Sequence, residues 1–295
     1  MSTILIIIIA VLLTASVLAY LAYKESDKII YRKTQRTPVT VFPDQMKVPF
    51  ENVIFKNSEG ITLRGWFIPA SEESEKTIIF MHGWAMNKGF LLPSTVFLRE
   101  KGFNLFYFDF RGSGESGEGM SSIGYLEIKD ANAAIEAIRK TRPEQTKKLG
   151  VYGLSMGAAV AVYEAAHNPA ISCVVAEGCY YSYEKVVARW ARFHRNTPYF
   201  PLVFLVLYFA RKRLGMNPED FSPRHNIKKL GAKPIFIING ADDNLAPRHD
   251  ARKLHMKARG PKQLWIVANA SHTECSEAAG QQYKNRLEEF FTKYL

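Results

Sequence analysis

The sequence predicts an α/β fold: a mostly parallel sheet of eight strands with helices on both faces, preceded by one apolar membrane-spanning segment. Three observations carry this. From residue 76 onward, short apolar runs at 77–81, 103–108, 148–152, 171–176, 234–239 and 263–267 are separated by longer mixed segments. Strands buried on both faces read as unbroken apolar runs, and helices between them imply a parallel sheet covered on both sides. Two further runs, 52–55 and 61–68, flank the turn sequence Asn57-Ser-Glu-Gly60 and form an antiparallel hairpin that opens the sheet. Finally, residues 1–23 carry no charged side chain.

The N-terminal run is long enough for a membrane span, since a helix crosses the hydrocarbon core with roughly 20 apolar residues. A cleavable signal peptide needs a basic start and a small-residue cleavage site. This chain starts Met-Ser-Thr, and Ala19 and Ala22 are a weak cleavage pattern, so an uncleaved single-pass anchor is preferred. Residues 24–50 read as a juxtamembrane tether broken by Pro38, Pro43 and Pro49. The globular domain occupies 51–295. Its helices are expected from the first parallel strand to about 101, near 122–141, at 156–167, at 248–259 and at 276–294. Residues 180–222 interrupt the alternation and read as a cap insertion. Within it, 199–210 are almost wholly apolar but too few to span a bilayer. They suit a helix packed on the domain, one lying at a membrane interface, or both.

Composition is that of a globular protein, with 47% hydrophobic and 23% charged residues, which excludes a disordered chain. The net charge is +11. Residues 24–36 contribute +3 of it (Lys24, Lys28, Arg32, Lys33 and Arg36 against Glu25 and Asp27). Residues 184–213 contribute +6 (Lys185, Arg189, Arg192, Arg195, Arg211, Lys212 and Arg213 against Glu184). Both stretches border apolar runs, which favours an anionic membrane surface over nucleic acid as partner. The basic excess follows the span, so the positive-inside rule places the domain on the cytoplasmic face. Cys173, Cys179 and Cys275 are too few for a disulfide framework and fit no zinc spacing. They are expected as free thiols, with room for one disulfide.

The chemistry-bearing residues fall at strand ends. Gly153-Leu-Ser155-Met-Gly157 follows one strand and precedes the Ala-rich helix at 158–166, the strand–turn–helix context of a nucleophile elbow. A serine hydroxyl needs a base, a group orienting that base, and donors for the oxyanion. His82-Gly83-Trp84 ends the first parallel strand, and the backbone N–H groups of Trp84 and Met156 are the candidate oxyanion donors. His82 itself reads as a structural histidine. For the base, His272 follows the last strand by a few residues, with His249 as rival. For the orienting acid, Asp242 and Asp243 compete after the strand at 234–239. The order serine, acid, histidine is that of one known triad arrangement.

On the segments Phe80-Met-His-Gly-Trp, Phe108-Asp-Phe-Arg-Gly-Ser-Gly-Glu-Ser116, Gly-Leu-Ser-Met-Gly, Asn239-Gly-Ala-Asp-Asp-Asn-Leu-Ala-Pro247 and Ala270-Ser-His-Thr-Glu, the chain resembles the α/β-hydrolase superfamily. The likeness is to membrane-anchored single-domain members related to the serine-aminopeptidase-like and dienelactone-hydrolase-like groups. It implies an α/β-hydrolase fold over about 50–295. The family spacing Gly-x-x-Asp-x-x-x-Pro lands on Asp243, so the implied catalytic residues are Ser155, Asp243 and His272. The usual glycine before the histidine is Ser271 here. Asp109 and Arg111 belong to the family's Asp-x-Arg-Gly segment and read as structural. The implied reaction is acyl transfer to water from an ester, thioester or amide, needing no metal or organic cofactor. The anchor and apolar cap suggest a hydrophobic acyl or lipid substrate; a serine-aminopeptidase-like peptidase is the alternative.

Two other classes compete. Gly112-Ser-Gly114-Glu-Ser-Gly117 matches G-x-G-x-x-G, but Glu115 and Glu118 would repel a pyrophosphate and no helix starts promptly after it. A non-catalytic membrane-tethered binding module would have the same fold but no need of Ser155, Asp243 and His272.

Overall fold

A computed structural model describes residues 2–30 and 36–295. The opening hairpin is β1 (Glu51–Lys56) and β2 (Thr62–Ile68), paired antiparallel. Six further strands follow: β3 (Lys76–Met81), β4 (Asn104–Phe108), β5 (Lys148–Leu154), β6 (Ile171–Glu177), β7 (Ile235–Gly240) and β8 (Lys262–Val267). They form one eight-stranded sheet in the order β1-β2-β4-β3-β5-β6-β7-β8. β2 meets β4 antiparallel, and every pairing from β4 onward is parallel.

The helices are α1 (Thr3–Ile30), α2 (Leu92–Thr95), α3 (Glu127–Thr141), α4 (Met156–His167), α5 (Tyr183–Arg195), α6 (Phe204–Leu214), α7 (Pro223–Asn226), α8 (Arg248–Lys257), α9 (Cys275–Ala279) and α10 (Gln281–Tyr294). Both faces of the sheet are buried, as successive residues of β3 show. Ile79 and Met81 join the core under α3, α4 and α8, while Ile78 and Phe80 join the core under α10. This two-sided burial is why the strands show no polar alternation. All three cysteines are buried free thiols.

Four boundaries differ from expectation. The helix expected to run to about 101 begins only at Leu92, and its second half, Val96–Lys101, is a 3-10 helix. The residues between β3 and Leu92 are held instead as turns by Asn87, whose side chain accepts from the Gly89 N–H and donates to the Pro38 carbonyl. The helix expected from 122 begins at Glu127, because the Glu127 carboxylate accepts from the N–H groups of Ser122 and Gly124 and ties the preceding residues into a loop. The C-terminal helix is broken at Gly280, whose φ of +50 ends α9. Finally, the predicted tether is helical at its start. α1 continues to Ile30 because its last turns pack on the cap, where Glu25 pairs with Arg195 at 2.5 Å and Asp27 with Arg213 at 3.1 Å. The predicted basic residues Arg32 and Lys33 lie outside the described residues.

α1 is the one helix among the described residues long and apolar enough to cross a membrane, with a mean hydropathy of 2.9 over its most apolar 18 residues. From Thr3 to Val17 it is exposed all round; burial begins at Leu18, Ala19, Ala22 and Ser26, one stripe at helical spacing. The cap is α5, a kinked turn at Tyr199–Val203 in which Phe200 is extended, and α6, lying over the C-terminal ends of the parallel strands.

Candidate active site

Ser155 occupies the single residue between β5 and α4, with φ 54 and ψ −113. That region suits glycine and strains other residues. The turn closes because its flanking glycines have no side chains: a Cβ on Gly153 would lie 2.2 Å from the Gly157 carbonyl oxygen, and one on Gly157 would lie 2.0 Å from that of Met81. The Ser155 N–H donates to the Glu177 carbonyl of the neighbouring strand at 2.8 Å, fixing the turn to the sheet.

The loops after β5, β7 and β8 converge here. Ser155 Oγ lies 2.8 Å from His272 Nε2, and His272 Nδ1 lies 2.7 Å from Asp243 Oδ2. Asp243 is buried, and its other oxygen accepts from the N–H groups of Leu245 at 2.9 Å and Ala246 at 2.7 Å. A carboxylate beside Nδ1 keeps the proton of a neutral imidazole on that nitrogen, leaving the Nε2 lone pair to face the serine hydroxyl. The rivals do not join this chain. Asp242 is exposed, and His249 is exposed beside Asp250.

His82 is buried and fully employed. Its Nε2 accepts from the Phe110 N–H at 3.1 Å, so Nδ1 carries the proton and donates to the Gly83 carbonyl at 2.8 Å. Burial holds its pKa below the ordinary histidine value. It links the ends of β3 and β4, the structural role expected of it. Met156 is the first residue of α4, where helical N–H groups lack intrahelical acceptors. Trp84 follows β3 and shares a cavity wall with Ser155 and His272.

That cavity has a volume of about 260 Å³ and is almost wholly apolar. Met86, Ile123 and Tyr180 line its floor side, and Val187 and Trp190 of α5 roof it; Trp190 meets Trp84 edge to face at 6.0 Å between ring centres. No carboxylate lines it among the described residues. Sequence reasoning missed these lining residues. The signal was present in α5, where Val186, Val187 and Trp190 share one helical face.

The glycine-rich segment after β4 is already filled by the chain itself. The Asp109 carboxylate accepts from the Glu115 N–H at 2.9 Å, and a Cβ on Gly114 would lie 2.3 Å from it. Asp109 also accepts from the Lys88 N–H and Lys88 Nζ, each at 2.7 Å. Arg111 binds Asp130 of α3 through both its guanidinium and its backbone N–H. Both residues hold the loop after the strand. Lys88, wholly buried over the Trp66 ring, had no sequence signal.

A second buried cluster sits behind the histidine. Tyr152 Oη lies 2.5 Å from Glu177 Oε2, Tyr283 Oη lies 2.7 Å from the same oxygen, and the two phenols lie 2.7 Å apart. Both phenols donate to this carboxylate oxygen, and burial holds the Glu177 pKa above its ordinary value.

Comparison with known proteins agrees with this architecture. The family model for serine aminopeptidase, S33, matches residues 72–217. Protein YqkD of Bacillus subtilis is 26% identical over 90% of this chain and 87% of its own length. Protein bem46 of Schizosaccharomyces pombe is 27% identical over 70% of this chain and 64% of its own. Among solved structures, the Pyrococcus furiosus esterase Pf2001 superposes with a TM-score of 0.74 and 26% identity, covering 90% of this chain and 99% of the esterase. An acylaminoacyl peptidase of Pyrococcus horikoshii, at 17% identity and a TM-score of 0.63, shares the fold over 84% of this chain and 42% of its own. The fold is thus the α/β-hydrolase fold. The chain belongs to the α/β-hydrolase superfamily and is a hydrolase of that type.

Proposed function

We propose that this protein is a membrane-anchored serine hydrolase that cleaves an ester, thioester or amide of a hydrophobic acyl group through an acyl-enzyme on Ser155. The observation that carries the reading is the unbroken chain Ser155 Oγ, His272, Asp243, with contacts of 2.8 and 2.7 Å. His272 takes the hydroxyl proton as Oγ attacks the acyl carbon. Asp243 holds the imidazole tautomer and stabilises the imidazolium. The Trp84 and Met156 N–H groups face the developing oxyanion. His272 returns the proton to the leaving group, and water, deprotonated by the same histidine, releases the acid.

The apolar cavity supports an acyl substrate over a peptide with a free N-terminus, because an ammonium group would meet no carboxylate among the described lining residues. The apolar helix α1 supports anchoring, and the basic residues after it support a cytoplasmic domain. A fluorophosphonate probe tests the nucleophile. The folded wild-type protein is expected to label and Ser155→Ala to lose the label; equal labelling of both would refute the assignment. A panel of p-nitrophenyl esters, acyl thioesters and aminoacyl amides tests the substrate class, and preference for aminoacyl amides would favour the peptidase reading.

A further inference from the structure

The outer face of the cap carries large apolar side chains in water. Phe193 of α5 is 63% exposed, Phe200 of the kinked turn 72%, and Phe204 and Tyr208 of α6 45% and 47%. Phe204 and Tyr208 are one helical turn apart and so share a face. An isolated exposed aromatic needs no explanation, but several on consecutive elements of one insertion do. Their surroundings are basic. Lys185, Arg192 and Lys212 have no carboxylate partner among the described residues, nor does Lys24 at the end of the apolar stretch of α1.

The position of the cap along α1 says what meets this face. Counting from Thr3, the roughly 20 residues that cross a hydrocarbon core end near Ala22. Burial of α1 against the domain starts at Leu18 and is complete at Ala22 and Ser26, so the contact straddles that boundary. The contact is also specific. Arg213 donates to the Ser26 hydroxyl at 3.0 Å and to the Tyr23 carbonyl at 3.2 Å, its guanidinium stacks 4.1 Å from the Tyr23 ring, and Phe209 meets Tyr23 edge to face at 5.6 Å. A helix held across a bilayer therefore holds the cap at the headgroup level.

We propose that the face formed by Phe193, Phe200, Phe204 and Tyr208 docks on an anionic lipid bilayer, with the aromatic rings at the interface and Lys185, Arg192 and Lys212 on the headgroups. This rests on the reading of α1 as an anchor. α5 carries the exposed Phe193 one turn beyond Trp190, which with Val187 roofs the cavity, so one helix connects the bilayer surface to the acyl pocket. The substrate class that follows is an acyl compound resident in the membrane, delivered under α5 without crossing bulk water.

The test uses the full-length protein in vesicles of phosphatidylcholine with and without phosphatidylglycerol. Single cysteines carrying a nitroxide are placed at Leu12, Phe200 and Glu144, and their accessibility to oxygen and to a water-soluble nickel chelate is compared. Glu144 precedes β5, at the end of the parallel strands opposite the cap, and is expected in water. Leu12 and Phe200 are expected to favour oxygen, with Phe200 shifting toward water when phosphatidylglycerol is omitted. Leu12 in lipid with Phe200 in water would overturn this proposal and leave the anchor intact. Leu12 in water would overturn the anchor reading itself. Dipolar broadening between labels at Phe200 would assign the face to a second copy of the chain instead. As an independent readout, Phe193→Ser with Phe200→Ser is expected to slow hydrolysis of a bilayer-embedded ester at least fivefold while leaving a soluble short-chain ester unaffected; equal loss on both would also overturn it.

Discussion

Asp109 and Asp243 both sit just past the C-terminal end of a sheet strand, both are buried, and both accept two backbone N–H groups, yet they do different work. What separates them is the cation each faces. Asp109 holds the Lys88 ammonium at 2.7 Å together with the Lys88 and Glu115 N–H groups, so the pair is a fixed clamp on the loop after β4. Asp243 holds an imidazole whose other nitrogen faces Ser155 Oγ at 2.8 Å, so in the proposed mechanism the same geometry serves to move a proton. A buried carboxylate is defined by its partner more than by its own surroundings.

Substitutions can break this contrast. The largest effect belongs to the proton-moving pair. His272→Ala is expected to lower kcat by several orders of magnitude, and Asp243→Asn by about 10⁴, since an amide stabilises the wrong tautomer. Denaturation midpoints of both variants should stay close to wild type. Asp109→Asn should do the reverse. It takes from the buried Lys88 ammonium one of its two carboxylates, Glu115 remaining at 2.6 Å, and is expected to cost about 1.5–3 kcal/mol in urea titrations. Adding Lys88→Met should recover much of that, with kcat per folded molecule little changed.

Glu164 of α4 extends the comparison to a carboxylate with no cation partner among the described residues. Burial pushes its pKa up to about 7, so the folded state keeps a proton that the unfolded chain releases near the ordinary carboxylate value. Its neutral form contributes stability below that ordinary value, and this is lost as pH rises through about 7. Glu164→Gln should flatten the fall in Tm between pH 5 and 8 and stabilise the protein above pH 7, by about 3 kcal/mol at most. The smallest effect is expected at the cavity roof. Trp190→Ala removes one apolar wall and should raise KM for a long-chain ester about tenfold, with kcat changed less.

Much of this was legible in the sequence, for identifiable reasons. Ser155 and the strand before it show because close packing at the elbow demands glycine at 153 and 157, and local steric demands leave local sequence marks. His272 shows by its place after the last strand. Choosing Asp243 over Asp242 took the family's spacing to Pro247, since two adjacent aspartates look alike until one is buried. Lys88 was not legible, because its partner Asp109 is 21 residues away and a lysine in a loop ordinarily faces water. The early start expected for α3 failed because Glu127 folds back on the residues before it. The helical start of the tether was invisible because Arg195 and Arg213, which hold it, lie far along the chain.

The backbone of Ser155 has a consequence for how such a protein can change over generations. At φ 54 and ψ −113 the residue that fits most comfortably is glycine, and holding a serine there costs on the order of 1–3 kcal/mol. Selection for robustness alone would therefore favour Ser155→Gly, a more durable protein without a hydroxyl at the elbow. A serine kept there lowers stability, which the nucleophilic role proposed for Ser155 would account for, so inactive descendants of this architecture should arise easily and be hardy.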